Sequence, residues 1–182
     1  MNYIFNPNEF DVEEELKKSL KQLTDEGKVC PTCLDRYTNH RYYGDDTTRK
    51  TFADEDIECM FINEPRARGH MIINTQQHYK DLLEVPPELN AKIMTFAQEY
   101  AKILKKVFEC ESVYLCTMCD GPINHYHVQL IPRYAHEKRG SKNFVKDRSE
   151  YVFEPDKFEQ VCKMIQKFAE SQTLEQQSGP QM

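Results

Sequence analysis

Residues 124–130 read NHYHVQL, with a polar side chain at every second position from His125 to Gln129. In a β-strand, side chains alternate with a period of two residues, so His125, His127 and Gln129 share one face while Val128 lies on the other. One face is therefore polar and the other suits a hydrophobic core. Incidental polar residues on a partly exposed strand would explain any single histidine, but three polar side chains in register favour a site.

The size and charge of the chain limit its number of domains and its expected partners. Its 182 residues suit one domain with terminal extensions, enough to bury its own core. A formal net charge of -6 gives no electrostatic reason to expect general affinity for nucleic acid or anionic membranes. There is no signal-peptide core, and no run approaches the ~20 apolar residues of a membrane span. We therefore expect a cytoplasmic protein without nucleic acid or membrane partners.

Three helices are predicted from apolar residues at a spacing near 3.6. The first covers 12–23, the second follows Pro86 and Pro87, and the third begins at Pro155. The tail 171–182 is polar and is predicted to be disordered.

Four strands are predicted among these helices. The runs 56–63 and 69–75 are short and apolar and predict a hairpin or two adjacent strands. The runs 112–119 and 125–131 predict two more strands, joined by the turn sequence DGPIN. The polar segment 39–50 is expected to form a loop. This pattern of helices and strands predicts the α+β class.

Two Cys-x-x-Cys pairs are the clearest metal signal. In a chain with seven cysteines and no secretion signal, metal ligation or buried thiols are favoured over disulfides. Cys30 and Cys33 can share one metal ion, but two ligands are too few for zinc. Cys116 and Cys119 have the same spacing, so a four-thiolate zinc site is one alternative. A redox-active dithiol is another, although neither pair has a thioredoxin-like βαβ context.

The sequence HYHVQLIPR, residues 125–133, resembles the motif of the histidine triad (HIT) family. That motif is His-x-His-x-His followed by apolar residues, and Gln129 takes the place of the third histidine. The upstream stretch FINEPRARGHMIINTQQHYKDL, residues 61–82, is similar to the family's segment with an acidic or amide residue, Gly-His, a strand and a further histidine.

The resemblance implies a fold and a domain plan. The fold is α+β and HIT-like, with an antiparallel sheet, a long packing helix, and helical extensions at both ends. The HIT-like catalytic domain is expected over 30–134, between an N-terminal helical extension, 1–29, and a C-terminal extension with a helix and a disordered tail, 135–182. Family members are usually homodimers, which pair through the long helix and a sheet edge.

The resemblance also implies chemistry at the α-phosphate of a nucleotide. His127 corresponds to the middle histidine, the nucleophile that forms a nucleotidyl-histidine for a second molecule to open. A neutral imidazole can attack phosphorus without first losing a proton, provided that an acceptor holds its other nitrogen. The alternative is a hydrogen-bonded histidine with no chemistry.

Gln129 changes the expected reaction. A histidine there would protonate the leaving group, worth about 10²- to 10⁴-fold, whereas an amide only donates a hydrogen bond. Because phosphate leaves well without a proton and an amine does not, Gln129 favours diphosphate-type bonds over phosphoramidates. Family branches with glutamine here include galactose-1-phosphate uridylyltransferase and dinucleoside polyphosphate phosphorylase, which transfer the nucleotidyl group to phosphate.

Two functions follow from these residues. The first is a nucleotide hydrolase or nucleotidyltransferase acting on a dinucleoside polyphosphate or a nucleotide sugar. The second is a zinc-stabilised nucleotide-binding or interaction protein with vestigial activity.

The resemblance completes the metal site. In family members with the cysteine pair, zinc is also bound by a histidine after the Gly-His strand and by the first histidine of the motif, here His78 and His125. With Cys30 and Cys33 they make a closed Cys2His2 set, which implies a structural zinc ion. This set is preferred to four thiolates because more than eighty residues separate the two cysteine pairs.

Four further residues are expected at the nucleotide by resemblance. Asn63 matches the ribose-binding position, and Phe61 with its neighbour Ile62 borders the base. A turn residue is the alternative for Asn63. The family's phosphate loop is replaced by the shorter CDGPIN, where Asn124 is expected to substitute in part.

The segment between Asn63 and the next strand carries His70, Arg66 and Arg68. His70 precedes an apolar strand and is expected to be structural. The arginines are expected in a solvated loop, with contact to phosphates as the alternative.

Overall fold

A five-stranded antiparallel sheet covered by two long helices forms the body of the protein. The computed structural model describes residues 11–40, 42–44, 46–119, 123–140 and 146–177. The helices are α1 (Val12–Glu15), α2 (Leu20–Glu26), α3 (Pro31–Tyr37), α4 (Pro87–Phe108) and α5 (Pro155–Gln177). The strands are β1 (Lys50–Ala53), β2 (Ile57–Phe61), β3 (Met71–Thr75), β4 (Ser112–Cys116) and β5 (His127–Arg133).

The strands lie in the order β1-β2-β3-β5-β4, and every neighbouring pair is antiparallel. The predicted adjacency of β2 and β3 is confirmed, with Phe61 opposite Met71. So is the pairing of β4 with β5, where Tyr114 lies opposite Ile131. Part of their predicted turn, 120–122, lies outside the described residues. The fold is thus α+β, with the antiparallel sheet and the long helix that the resemblance implied.

The main core lies between the sheet and the helices α4 and α5. Val128 and Leu130 of β5 contribute to it, as do Val161 and Ile165 of α5. His127 and Gln129 lie on the opposite face, so the predicted division of β5 into two faces is confirmed. Within the described ranges, no helix combines the length and the apolar character needed to cross a membrane.

The predicted first helix is interrupted. It forms two helices, because Ser19 starts α2 with a capping box: Gln22 N–H donates to Ser19 Oγ at 3.2 Å, and Ser19 N–H donates to Gln22 Oε1 at 2.8 Å. Helix α2 then packs Leu23 against Val29 and Leu34 in a second, smaller core.

Two other parts of the chain differ from expectation. The four-residue strand β1 was not predicted; it is held by its pairing with β2, and Asp54 fixes the intervening turn by accepting from the N–H groups of Asp56 and Ile57. The tail 171–182 was predicted to be disordered, but α5 continues to Gln177, so the prediction is wrong for residues 171–177. Its glutamine, glutamate and leucine residues are good helix formers that extend an existing helix. Residues 178–182 lie outside the described part.

The expected domain boundaries stay a prediction. Helix α5, in the expected C-terminal extension, packs against α4 and β1 and shares their core.

Candidate functional site

Four side chains from three parts of the chain form a cluster beside β5. Cys30 precedes α3, Cys33 lies in its first turn, His78 follows β3, and His125 precedes β5. Their ligand atoms all lie within 4.8 Å of one another. Nδ1 of His125 is 3.6 Å from the Cys30 sulfur and 3.5 Å from that of Cys33, and His78 Nδ1 is 3.4 Å from the Cys33 sulfur.

These distances suit zinc. Zn–S bonds of about 2.3 Å and Zn–N bonds of about 2.0–2.1 Å at tetrahedral angles place sulfur and nitrogen about 3.5 Å apart. The expected set of Cys30, Cys33, His78 and His125 is therefore brought together with a spacing and a donor set that fit this ion.

Local structure positions the ligands. Pro31 begins α3 directly after Cys30, so the sulfurs of Cys30 and Cys33 lie on one side of the first helical turn. His125 Nε2–H donates to the carbonyl oxygen of Thr75 at 2.8 Å, which leaves its Nδ1 free to face the two sulfurs. Such an outer hydrogen bond fixes the tautomer of a metal-binding histidine.

The two thiols differ in acidity. The hydrogen bond from the Cys33 thiol lowers the pKa of Cys30 to about 2, against the opposing effect of burial. The same hydrogen bond, burial and the charge on Cys30 raise the pKa of Cys33. Cys30 is thus the more acidic of the two thiols, and metal binding would displace the proton of Cys33.

The alternative four-thiolate site is not formed. Among the side chains that the structure describes, Cys116 and Cys119 lie outside the cluster of possible ligands. Cys116 ends β4, opposite Gln129, while the Cys119 sulfur lies 3.3 Å from the Thr117 hydroxyl.

A series of hydrogen bonds orients His127 and Gln129. Arg66 N–H donates to His70 Nδ1 at 3.1 Å, so the proton of neutral His70 is on Nε2, which donates to Gln129 Oε1 at 3.1 Å. The amide of Gln129 then presents its Nε2–H to His127 Nε2 at 3.2 Å. His127 Nδ1–H donates to the carbonyl oxygen of His125 at 2.8 Å. The lone pair of His127 therefore lies on Nε2.

Burial keeps both histidines neutral at pH 7. It lowers the pKa of His127 against the opposing hydrogen bond to the His125 backbone, and the charge of Arg148 lowers this pKa further. Burial lowers the pKa of His70 to about 4. His127 thus has the protonation state of a nucleophile.

His70 belongs to the site rather than to the fold alone. Sequence reasoning missed its contact with Gln129, which joins β3 to β5, although the Gly-His pair was the available signal. Gly69 has a φ of +76°, and a Cβ there would lie 3.1 Å from the Phe108 ring. Only glycine fits this backbone comfortably, and it sets the start of the segment that carries His70.

His127 and Gln129 line a cavity of about 410 Å³ over the sheet. Its floor includes Met60 of β2 and Ile72 of β3. Asn63 lines it as well and is exposed.

The prediction that Phe61 borders this site is wrong. It lies on the other face of the sheet, 2% exposed, with its ring centroid 5.8 Å from that of Phe108. The neighbouring Ile62 lines the cavity instead. Asn124, in the loop before β5, does not border this cavity, and its role at the phosphate stays a prediction.

A charged network that sequence reasoning did not identify forms another wall of the cavity. Arg36 of α3 donates to Glu58 at 3.1 Å and to the carbonyl oxygens of Thr75 and Gln76 at 2.9 and 3.0 Å. Asp35 accepts from backbone N–H groups, so its charge is also compensated. Arg36 thus ties the helix that carries the cysteines to the strands that carry the cavity floor.

Comparison with known proteins agrees with this geometry. An uncharacterised HIT-like protein of Methanocaldococcus jannaschii is 23% identical over 94 residues, 50% of this chain and 73% of that protein. The crystal structure of a Zn-bound histidine triad family protein from Mycobacterium smegmatis matches with a TM-score of 0.60 at 16% identity, covering 80% of this chain and 99% of that one. A HIT-like protein from Bartonella henselae, described as involved in cell-cycle regulation, matches with a TM-score of 0.53 at 18% identity, covering 75% and 93%.

The family model of the HIT domain matches residues 44–136, which is 93 of the 182 residues. This match includes β1 to β5, His70, His127 and Gln129. The chain therefore belongs to the HIT domain family.

Proposed function

We propose that the protein is a HIT-family nucleotide hydrolase or nucleotidyltransferase, acting at the α-phosphate of a dinucleoside polyphosphate or a nucleotide sugar. The observation that carries this proposal is the 2.8 Å hydrogen bond from His127 Nδ1 to the His125 carbonyl oxygen. It leaves a lone pair on Nε2 of a buried, neutral imidazole that lines the cavity. These are the requirements of a histidine nucleophile.

The reaction has two steps. First, the Nε2 lone pair of His127 attacks the α-phosphorus, and the bond from phosphorus to the bridging oxygen breaks. The leaving phosphate takes that electron pair, and the nucleotidyl group is left on His127. Water or inorganic phosphate then attacks the same phosphorus. The P–N bond breaks, its electrons return to Nε2, and the proton of the attacking group passes to solvent.

Gln129 determines which leaving groups can depart readily. His70 fixes its amide with the N–H₂ group toward His127, so Gln129 donates a hydrogen bond to a phosphate oxygen but transfers no proton. Diphosphate-type bonds break without that proton. Gln129 thus supports a place near the uridylyltransferase and phosphorylase branches of the family.

The nucleoside lies along the cavity. Asn63 binds the ribose hydroxyls, and Ile62, Met60 and Ile72 provide apolar contacts for the base.

We also infer a structural zinc ion held by Cys30, Cys33, His78 and His125. When bound, zinc supplies a closed tetrahedral cross-link and no open position for substrate. The four residues then tie α3 to the loop before β5, which fixes the His125 carbonyl that orients His127. The description of the M. smegmatis relative as Zn-bound supports this inference.

One observation favours the second candidate, a nucleotide-binding or interaction protein with vestigial activity. The amide of Gln129 lies 3.2 Å from His127 Nε2 and occupies the attacking lone pair. Reaction requires that a substrate phosphate draw this amide away. If it does not, the site binds a nucleotide without cleaving it.

The assembly and location are proposals of the same kind. We propose a cytoplasmic homodimer formed through α4 and a sheet edge, with a nucleotide as substrate and without nucleic acid or membrane partners.

The test combines product analysis with detection of the intermediate. The purified protein is incubated with diadenosine triphosphate or UDP-glucose, with and without inorganic phosphate, and intact mass spectrometry follows any nucleotidyl-protein. We expect cleavage by the wild type and none by His127→Ala. His136→Ala is the matched control, because His136 is exposed and outside the cavity. Binding without products would support the second candidate, and cleavage by His127→Ala would contradict the proposed nucleophile.

A further inference from the structure

A segment beyond the region matched by the family model passes beside the nucleotide cavity. We call residues 146–154 the strap. Its backbone is held on the loop after β2: Ser149 N–H donates to the Pro65 carbonyl at 2.9 Å, and Tyr151 N–H donates to the Asn63 carbonyl at 3.1 Å. The Tyr151 hydroxyl also donates to the Thr48 carbonyl at 2.9 Å. The strap therefore has a defined position relative to the cavity.

The strap brings Arg148 to the cavity that His127 and Gln129 line. Its Nη1 donates to the carbonyl oxygen of Glu64 at 2.9 Å, which directs the side chain along this loop. Among the side chains that the structure describes, no carboxylate forms an ion pair with Arg148 within 4 Å. Its positive charge thus lies in the same cavity as the candidate nucleophile and has no carboxylate of the described residues at ion-pair distance, although the charge of Glu64 acts on it from further away.

A second arginine strengthens this interpretation. The side chain of Arg66 donates to the carbonyl oxygen of Lys146, and its Nε is buried without a hydrogen-bond partner. Burial and the charge of Arg66 lower the pKa of Arg148, against the opposing charge of Glu64, so the two guanidinium groups are close enough to repel each other. Within the described chain, Arg66 has no carboxylate ion pair either. A bound anion would offset this repulsion.

The other arginines of the cavity are engaged elsewhere. Arg36 is bonded to Glu58 and two carbonyl oxygens, and Arg49 is 5% exposed and donates to the Tyr43 carbonyl. Arg148 differs because it is exposed at the cavity, and its hydrogen bond to the Glu64 carbonyl oxygen engages Nη1. Among these three, Arg148 is therefore the arginine whose guanidinium group is accessible to an anionic ligand.

We propose that Arg148 binds the phosphate that His127 attacks, replacing contacts of the phosphate loop that this chain has in shortened form. The inference rests on the proposed function, since it names a substrate contact of the same site. An arginine offers two parallel N–H donors to phosphate oxygens, and these charge-assisted bonds strengthen as negative charge develops. Substrate binding thereby depends on the strap as well as on the HIT domain.

Calorimetric titration of the zinc-loaded protein tests this contact without requiring turnover. The probes are the 5′-monophosphates of adenosine, guanosine, cytidine and uridine, each compared with its nucleoside. Removing a charge-assisted phosphate contact in Arg148→Gln should weaken binding of the preferred monophosphate by about 10- to 100-fold. Nucleoside affinity should stay unchanged. The affinity of Arg148→Lys for the monophosphate should lie between those of the wild type and Arg148→Gln, since lysine keeps the charge but loses the paired donors.

Arg139→Gln is the matched control, because it removes the same charge from a side chain that is 85% exposed and outside the cavity. Thermal unfolding verifies that each variant is folded, and Arg148→Lys supplies the comparison if the glutamine variant is not. Monophosphate binding by the wild type with no loss in either Arg148 variant would overturn this inference alone. A wild type that binds no monophosphate would overturn it together with the proposed function.

Discussion

His70 Nε2 lies 3.1 Å from Gln129 Oε1, and this contact between β3 and β5 decides which end of the amide faces His127. With its oxygen occupied by His70, Gln129 presents N–H to His127 Nε2 at 3.2 Å. A residue outside the His-x-His-x-Gln motif therefore sets how its glutamine acts.

Leaving-group preference follows from this orientation. The wild type should cleave a dinucleoside triphosphate faster than a nucleoside phosphoramidate, because Gln129 gives no proton to an amine. Gln129→His should speed the phosphoramidate reaction by up to about 10²- to 10⁴-fold and the triphosphate reaction much less. Steady-state kinetics on both substrates measures this contrast. A wild type that prefers the phosphoramidate would show that Gln129 does not control the leaving group.

Removing the hydrogen bond that His70 donates to Gln129 should loosen the orientation of the Gln129 amide and lower the stability of the fold. In His70→Ala, the buried Oε1 of Gln129 loses its donor, which should cost about 1–3 kcal/mol of unfolding free energy in urea denaturation. The amide can then turn its oxygen toward His127, so kcat should fall. Unchanged kcat in a folded His70→Ala protein would argue against this positioning role.

The same histidine predicts a pH dependence of stability. The pKa of His70 is about 4 in the folded chain and ~6.5 when unfolded, so below pH 6.5 the unfolded chain binds a proton that the folded chain does not. Stability should therefore fall as pH drops through this window. At ~1.4 kcal/mol per pH unit, His70 alone should account for about 2 kcal/mol between pH 7 and pH 5.

Urea titrations of the wild type and His70→Gln at both pH values measure this contribution. Other titrating groups are common to the two proteins, so the difference isolates His70. Equal pH dependence in both proteins would contradict the prediction.

Metal analysis should find about one zinc ion per chain, as expected of a closed four-ligand site. Cys30→Ser or His78→Ala should lower both the zinc content and the thermal midpoint, and a chelator should do the same to the wild type. Cys116→Ser is the control, since Cys116 lies outside the cluster. Zinc that depends on Cys116 and not on Cys30 would reverse the assignment.

The proposed homodimer should have a mass near twice 21.6 kDa by light scattering at micromolar concentration. Helix α4 leaves Met94 42% exposed, and β4, at the sheet edge, leaves Leu115 43% exposed. A carboxylate in an apolar interface is unfavourable, so Met94→Glu should shift the protein toward the monomer. Lys163→Glu, at an exposed position on α5, is a control for added negative charge. A monomeric wild type would rule out this assembly.

Local periodicity was sufficient for much of the fold. The period of two in β5 predicted which residues enter the core and which enter the cavity, because alternation follows directly from strand geometry. The helical period predicted α4, and the family resemblance implied the Cys2His2 set.

Tertiary structure decided what periodicity does not encode. All five residues of β2 are buried, so no alternation of buried and exposed side chains indicates that Phe61 faces the helices and Ile62 the cavity. The contacts of His70 with Gln129 and of Arg148 with the cavity join residues far apart in sequence. Such contacts depend on how the sheet and the strap close around the site, and no local pattern of side chains specifies that closure.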